Sequence, residues 1–98
     1  MHHQITVIAT LHARAGQEEA LLARLRQMQD ATRQEAGCVV YDLHRAQDDG
    51  AEFVFVEYWR DAEALAAHDA SAHMAALGRD LPPLLDRPPS IRKLAPAG

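Results

Sequence analysis

A chain of 98 residues with 48% hydrophobic and 24% charged side chains has the composition of one folded domain rather than a disordered segment. Its net charge of −4 and scattered arginines (Arg14, Arg24, Arg26, Arg33, Arg45, Arg60) exclude the basic footprint that a nucleic-acid backbone requires. Cys38 is the only cysteine, which excludes an internal disulfide and a CxxC motif, and no apolar run approaches the roughly 20 residues of a membrane span. Residues 1–12 lack the pattern of a signal peptide, so a cytoplasmic protein without a membrane partner is expected.

Ile5 to His12 alternates Ile5, Val7, Ala9 and Leu11 against Thr6, Ile8, Thr10 and His12, the period-two pattern of a strand. Arg14-Ala15-Gly16 is a turn. From Gln17 to Glu35 the period becomes helical, with Leu21, Leu25, Met28 and Thr32 on one stripe and Glu18 and Glu19 in the first turn, where the macrodipole favours anions. Gly37 is read as the stop, a residue tolerant of positive φ. Cys38 to Arg45 is a second strand, Gln47-Asp48-Asp49-Gly50 a hairpin turn, and Glu52 to Trp59 a third strand. Asp61 is placed to cap a helix over Ala62–Asp69, and Ser71 to cap another running toward Gly78. Pro82-Pro83 and Pro88-Pro89 bracket a loop, and Ser90 to Leu94 is a final strand.

The order β-α-β-β-α-β, with the second helix broken in two, predicts an α+β domain of ferredoxin-like type, its antiparallel sheet covered by helices on one face. Yet the third strand is apolar on both parities: Phe53, Phe55 and Trp59 against Val54, Val56 and Tyr58. A sheet apolar on both faces needs a second cover, and in so short a chain a second copy is the expected one. A homodimer follows.

The strand-to-helix corner over residues 52–73 concentrates Glu57, Tyr58, Trp59, His68 and His73. Such groups are costly to bury idly, which makes this corner the candidate site. A metal site is not expected: His68 and His73 are five apart where ligands on one helical face want three or four, and no third ligand is evident. A single histidine still suffices for haem iron, with His68 the natural ligand.

The opening strand Ile5–Leu11 with Ala15-Gly16-Gln17-Glu18, then Glu35-Ala36-Gly37-Cys38 with Tyr41, and the corner Glu57-Tyr58-Trp59 with Ala64-Leu65, His68 and His73-Met74 together resemble the antibiotic biosynthesis monooxygenase family of dimeric α+β barrels, the small quinol monooxygenases in particular. The resemblance runs over about residues 5 to 95. It implies two sheets paired face to face, and oxygenation of a quinol or polyketide phenol by O2 with no metal, flavin or other cofactor. Relatives that degrade haem use an Asn on the first strand, and this chain has no Asn.

Removing a phenolic proton makes the ring a far better electron donor to O2, and histidine is the side chain whose unperturbed titration suits that step. On the family likeness His68 is then the base or proton relay, Trp59 the stacking wall, and Glu57 either the group that orients an imidazole or an ion-pair partner across the dimer. Tyr41, His73, Tyr58 and Phe55 are expected as further contacts to a small aromatic substrate. Each has a plain structural alternative: His68 packed with its nitrogens satisfied, Trp59 and Tyr41 in the core, His73 solvated. A non-catalytic dimeric module that binds a small ligand, and a haem-binding relative, are the alternative functions.

Overall fold

The computed structural model describes residues 2–98. Four strands, β1 (Ile5–His12), β2 (Cys38–Arg45), β3 (Glu52–Trp59) and β4 (Ser90–Leu94), form one antiparallel sheet in the order β2-β3-β1-β4. Three helices, α1 (Glu18–Thr32), α2 (Ala62–Asp69) and α3 (Ala72–Asp80), complete the ferredoxin-like β-α-β-β-α-β arrangement, with one 3-10 turn at Pro82–Leu84 before β4.

Strand alternation decides what the sheet buries. On β3, Phe53, Phe55, Glu57 and Trp59 point to the helices and are buried, while Val54, Val56 and Tyr58 on the other face are half-buried. β1 follows in register: Ala9 lies opposite Phe55 and Val7 opposite Glu57, both buried, and Ile8 opposite Val56 faces outward. A bulge between Cys38 and Val40 re-phases β2 so that Tyr41 pairs with Glu57 and joins the inner face.

Helix α1 lays Leu21, Leu25, Met28 and Thr32 on the sheet, the stripe read from the helical period. It is shorter than the period suggests. After Thr32 the backbone tightens, Gln34 N–H donating to Ala31 and Glu35 N–H to Thr32, so Glu35 stands on a turn and not in the helix. Gly37 corrects the expected reason for its presence. Gly16, at φ 86°, is the positive-φ residue of the described chain. Gly37 is instead a close approach: a β-carbon there would run into the Ala64 side chain of α2. The missing side chain lets the α1–β2 turn press against α2, and Arg60 N–H closes the contact on the Gly37 carbonyl at 3.0 Å.

Asp61 caps α2, accepting from Ala64 N–H at 2.8 Å, and Ser71 caps α3, accepting from Met74 N–H at 3.2 Å. Ser71 also donates its hydroxyl proton to the His68 carbonyl at 2.7 Å, which fixes the angle of the α2–α3 break.

Candidate functional site

Between the helix face of the sheet and the helices lies a cavity of about 400 Å³. Its floor is β1, β3 and β2 (Val7, Ala9, Leu11, Phe55, Glu57, Tyr41), and its roof is α2 and α3 (Leu65, His68, Asp69, Met74, Leu77). Ile91 and Lys93 of β4 form the open side, and Ile91 is 53% exposed there. The size suits an aromatic molecule of one to a few rings, and the wall is largely aliphatic.

Two ionisable groups stand out in that wall. Glu57 is only 4% exposed, and burial lifts its carboxyl from an ordinary 4.5 to about 7, with the charges of Asp69 and Glu35 adding to the rise. One hydrogen bond moderates the effect: Trp59 Nε1–H donates to Glu57 Oε1 at 2.9 Å. His68 is 2% exposed, and its Nδ1 lies 2.8 Å from Glu35 Oε2. With Glu35 ionised, that contact assigns the Nδ1 proton to His68 and leaves Nε2 as the acceptor nitrogen. Tyr41 packs its ring against Phe55 (centroids 4.5 Å apart) and tilts toward His68 at 5.6 Å. Burial raises the Tyr41 phenol well above its ordinary range, so it remains protonated.

The residues singled out in the sequence divide four ways. His68, Glu57, Tyr41 and Phe55 line the cavity together. Trp59 does not form its wall: fully buried, it sits behind His68 with ring centroids 4.6 Å apart and holds Glu57 by its indole N–H. Tyr58 belongs to the opposite face of the sheet, where alternation must put it, and stacks on His3 at 4.0 Å. His73 lies outside the cavity, its Nε2 2.7 Å from Glu35 Oε2.

The group that orients the imidazole is thus Glu35 and not Glu57. Nothing local to the sequence marks it, because the partners are 33 residues apart. The structure also sets a carboxylate beside both His68 and His73, which the sequence spacing does not show. The α2–α3 break bends the chain so that both rings reach one carboxylate. Cys38, beside this turn, has its thiol pushed up to about 11, chiefly by burial and then by Glu35 and Glu57, which leaves it unreactive near neutrality.

The model of the antibiotic biosynthesis monooxygenase family matches residues 4–79. The chain belongs to that family. The matched span of this monooxygenase-family chain takes in β1 through most of α3, hence Glu35, Glu57, His68 and His73, but not β4. It is 37% identical to PA3566 from Pseudomonas aeruginosa, with a TM-score of 0.91 over 100% of this chain and 98% of that one. It is also 37% identical to Rv0793 from Mycobacterium tuberculosis, with a TM-score of 0.90 over 96% and 95%. An uncharacterized protein, sll1783 from Synechocystis sp., is 25% identical over 88 residues. That match covers 90% of this chain and 60% of the relative's length, so the chain spans less than two thirds of that protein. No described helix is long and apolar enough to cross a membrane.

Proposed function

We propose that the chain is a cofactor-independent monooxygenase that oxidises a hydroquinone or polycyclic phenol with O2. The observation that carries the reading is the aliphatic cavity of about 400 Å³ into whose wall Glu57, ionising near pH 7, and the Glu35-oriented His68 are set. His68 takes the phenolic proton at Nε2, and Glu57 is poised to take or return a second one at neutral pH. Trp59 acts through Glu57 as a positioning residue, while Phe55 and Tyr41 present ring faces to the substrate. Tyr58 and His73, away from the cavity, are not substrate contacts in this reading.

The balance needs no external reductant. A hydroquinone and one O2 give a hydroxyquinone and one water: one oxygen atom forms the new ring C–O bond, the other leaves as water, and the substrate supplies all the electrons. The anion formed by proton loss starts the electron flow, and the largely apolar wall limits the water that can reach its intermediates.

The same reading makes the active form a homodimer. Ile8, Val54, Val56 and Tyr58 form a half-buried apolar outer face that the helices leave uncovered, and a second copy laid on it supplies the missing cover. Sedimentation equilibrium reads this directly, and a monomer at micromolar concentration would remove it.

Oxygen uptake by metal-stripped protein against a panel of hydroquinones and naphthols tests the chemistry, with autoxidation subtracted and His68→Ala and Glu57→Gln in parallel. One O2 consumed per quinol without H2O2, lost in His68→Ala, is the expected result. Ligand binding by tryptophan fluorescence with no uptake across the panel would assign the cavity to a binding module instead.

A further inference from the structure

We propose that Glu35, His68 and His73 form a binding site for a divalent transition-metal ion of the zinc class, at the rim of the cavity. The three residues come from separate segments: the α1–β2 turn, the last turn of α2 and the first turn of α3. Their ligand atoms lie within 4.8 Å of one another. His68 Nδ1 and His73 Nε2 approach the same oxygen, Glu35 Oε2, at 2.8 and 2.7 Å.

One imidazole is enough to satisfy a carboxylate oxygen that only has to orient it. Two imidazole nitrogens converging on that oxygen are the N,N,O donor set of zinc sites with three protein ligands. Tetrahedral zinc, with bonds of about 2.0–2.2 Å, separates its donor atoms by about 3.3 Å. Each carboxylate contact therefore opens by only about half an ångström to admit the ion, and the two imidazole nitrogens, within 4.8 Å of each other, draw together toward that same spacing by side-chain rotation. Nitrogen donors select borderline ions such as Zn2+ or Co2+ over Mg2+ or Ca2+. Burial is graded in the way such a site needs. The His68 side chain is 3% exposed, Glu35 18% and His73 29%, so the inner ligands are held while the outer edge admits the ion and a completing water.

The histidine bridged by two carboxylates among the described residues lacks this geometry. His12 meets Asp49 through Nε2 and Asp86 through Nδ1, opposite edges of one ring, so the two carboxylates cannot share an ion with it. The ion binds only uncharged imidazoles, so protons compete with it and affinity rises with pH. It also has a consequence for the cavity, resting on the assignment of His68 as base. With the metal on Nδ1, the remaining ring proton of neutral His68 resides on Nε2, and the nitrogen facing the substrate becomes a donor. Occupancy would switch the base off.

The test is titration of metal-stripped protein with Co2+, read by its visible ligand-field absorption, followed by displacement with Zn2+ and by calorimetry with Zn2+. One ion per chain, with four-coordinate cobalt absorption bleached by Zn2+, is expected. His73→Ala and Glu35→Gln, both outside the hydrophobic core, should each weaken binding at least tenfold, while His12→Gln leaves it unchanged. No saturable binding, or binding that neither substitution at the cluster weakens, overturns the proposal. Neither readout involves turnover, so it stands or falls apart from the oxygenase reading.

Discussion

Glu57→Gln separates the charge of the buried carboxyl from its shape. Glutamine keeps the volume and an oxygen to accept the Trp59 indole N–H, so the 2.9 Å bond need not be lost, but it cannot ionise. The folded protein holds Glu57 at about 7 against an ordinary 4.5, which means that folding favours the neutral carboxyl. Wild-type stability relative to the variant is therefore complete below pH 4.5 and declines as pH rises from 4.5 through about 7. Above that it levels off. At 1.36 kcal/mol per pH unit the decline amounts to about 3 kcal/mol, a large part of the stability of a domain this small. Urea unfolding of both proteins at half-unit steps from pH 4.5 to 8.5 measures it, and all other titrations cancel in the difference. Above pH 7 the variant should be the more stable protein. A difference that stays constant across the series would refute the reasoning, since it would mean that Glu57 is solvated and titrates as an ordinary glutamate.

Two further outcomes follow from packing and from the second histidine cluster. Gly37→Ala forces a methyl against the Ala64 side chain where α2 meets the α1–β2 turn, so a loss of about 1–3 kcal/mol in chemical denaturation is expected; an unchanged midpoint would remove the close approach as the reason for glycine there. His12 is bonded to Asp49 and Asp86, which raise its pKa above 6.5, Asp49 most strongly, so the cross-link between the β2–β3 hairpin and the segment before β4 is complete below pH 6.5 and weakens as pH rises past it. His12→Gln should flatten the corresponding part of the stability–pH curve, and a curve of unchanged slope would remove His12 as its source.

What could be read from the sequence was what local chemistry dictates. The bounds of β1, β2, β3, α2 and β4 follow from period-two runs and from Asp61 as a cap, and the buried stripe of α1 follows from its 3.6-residue period. Alternation alone also separates Phe55 and Glu57 from Tyr58, which it sets on the opposite face of the sheet. Glu35 is a different case. Its role exists only because Gly37 lets its turn touch α2 and because the Ala70–Ser71 break swings His73 back toward His68. Neither event leaves a local mark on a glutamate that looks like Glu18 or Glu52. Trp59 likewise reads as an aromatic wall until its indole is seen donating to Glu57 from behind the ring of His68.

The last strand has a bearing on how the cavity is reached. All five residues of β4 are exposed, its one pairing is with β1, and Ile91 and Lys93 border the open side of the cavity. A strand at a sheet edge with so little burial opens at far lower cost than the Phe53–Trp59 core does. The interior is reached across the exposed sheet margin, with no helix displaced and no hinge required. Aperture and stability are set by different residues, so substitutions at Ile91 can change which molecules pass without disturbing the packing that holds Glu57 and His68 in place.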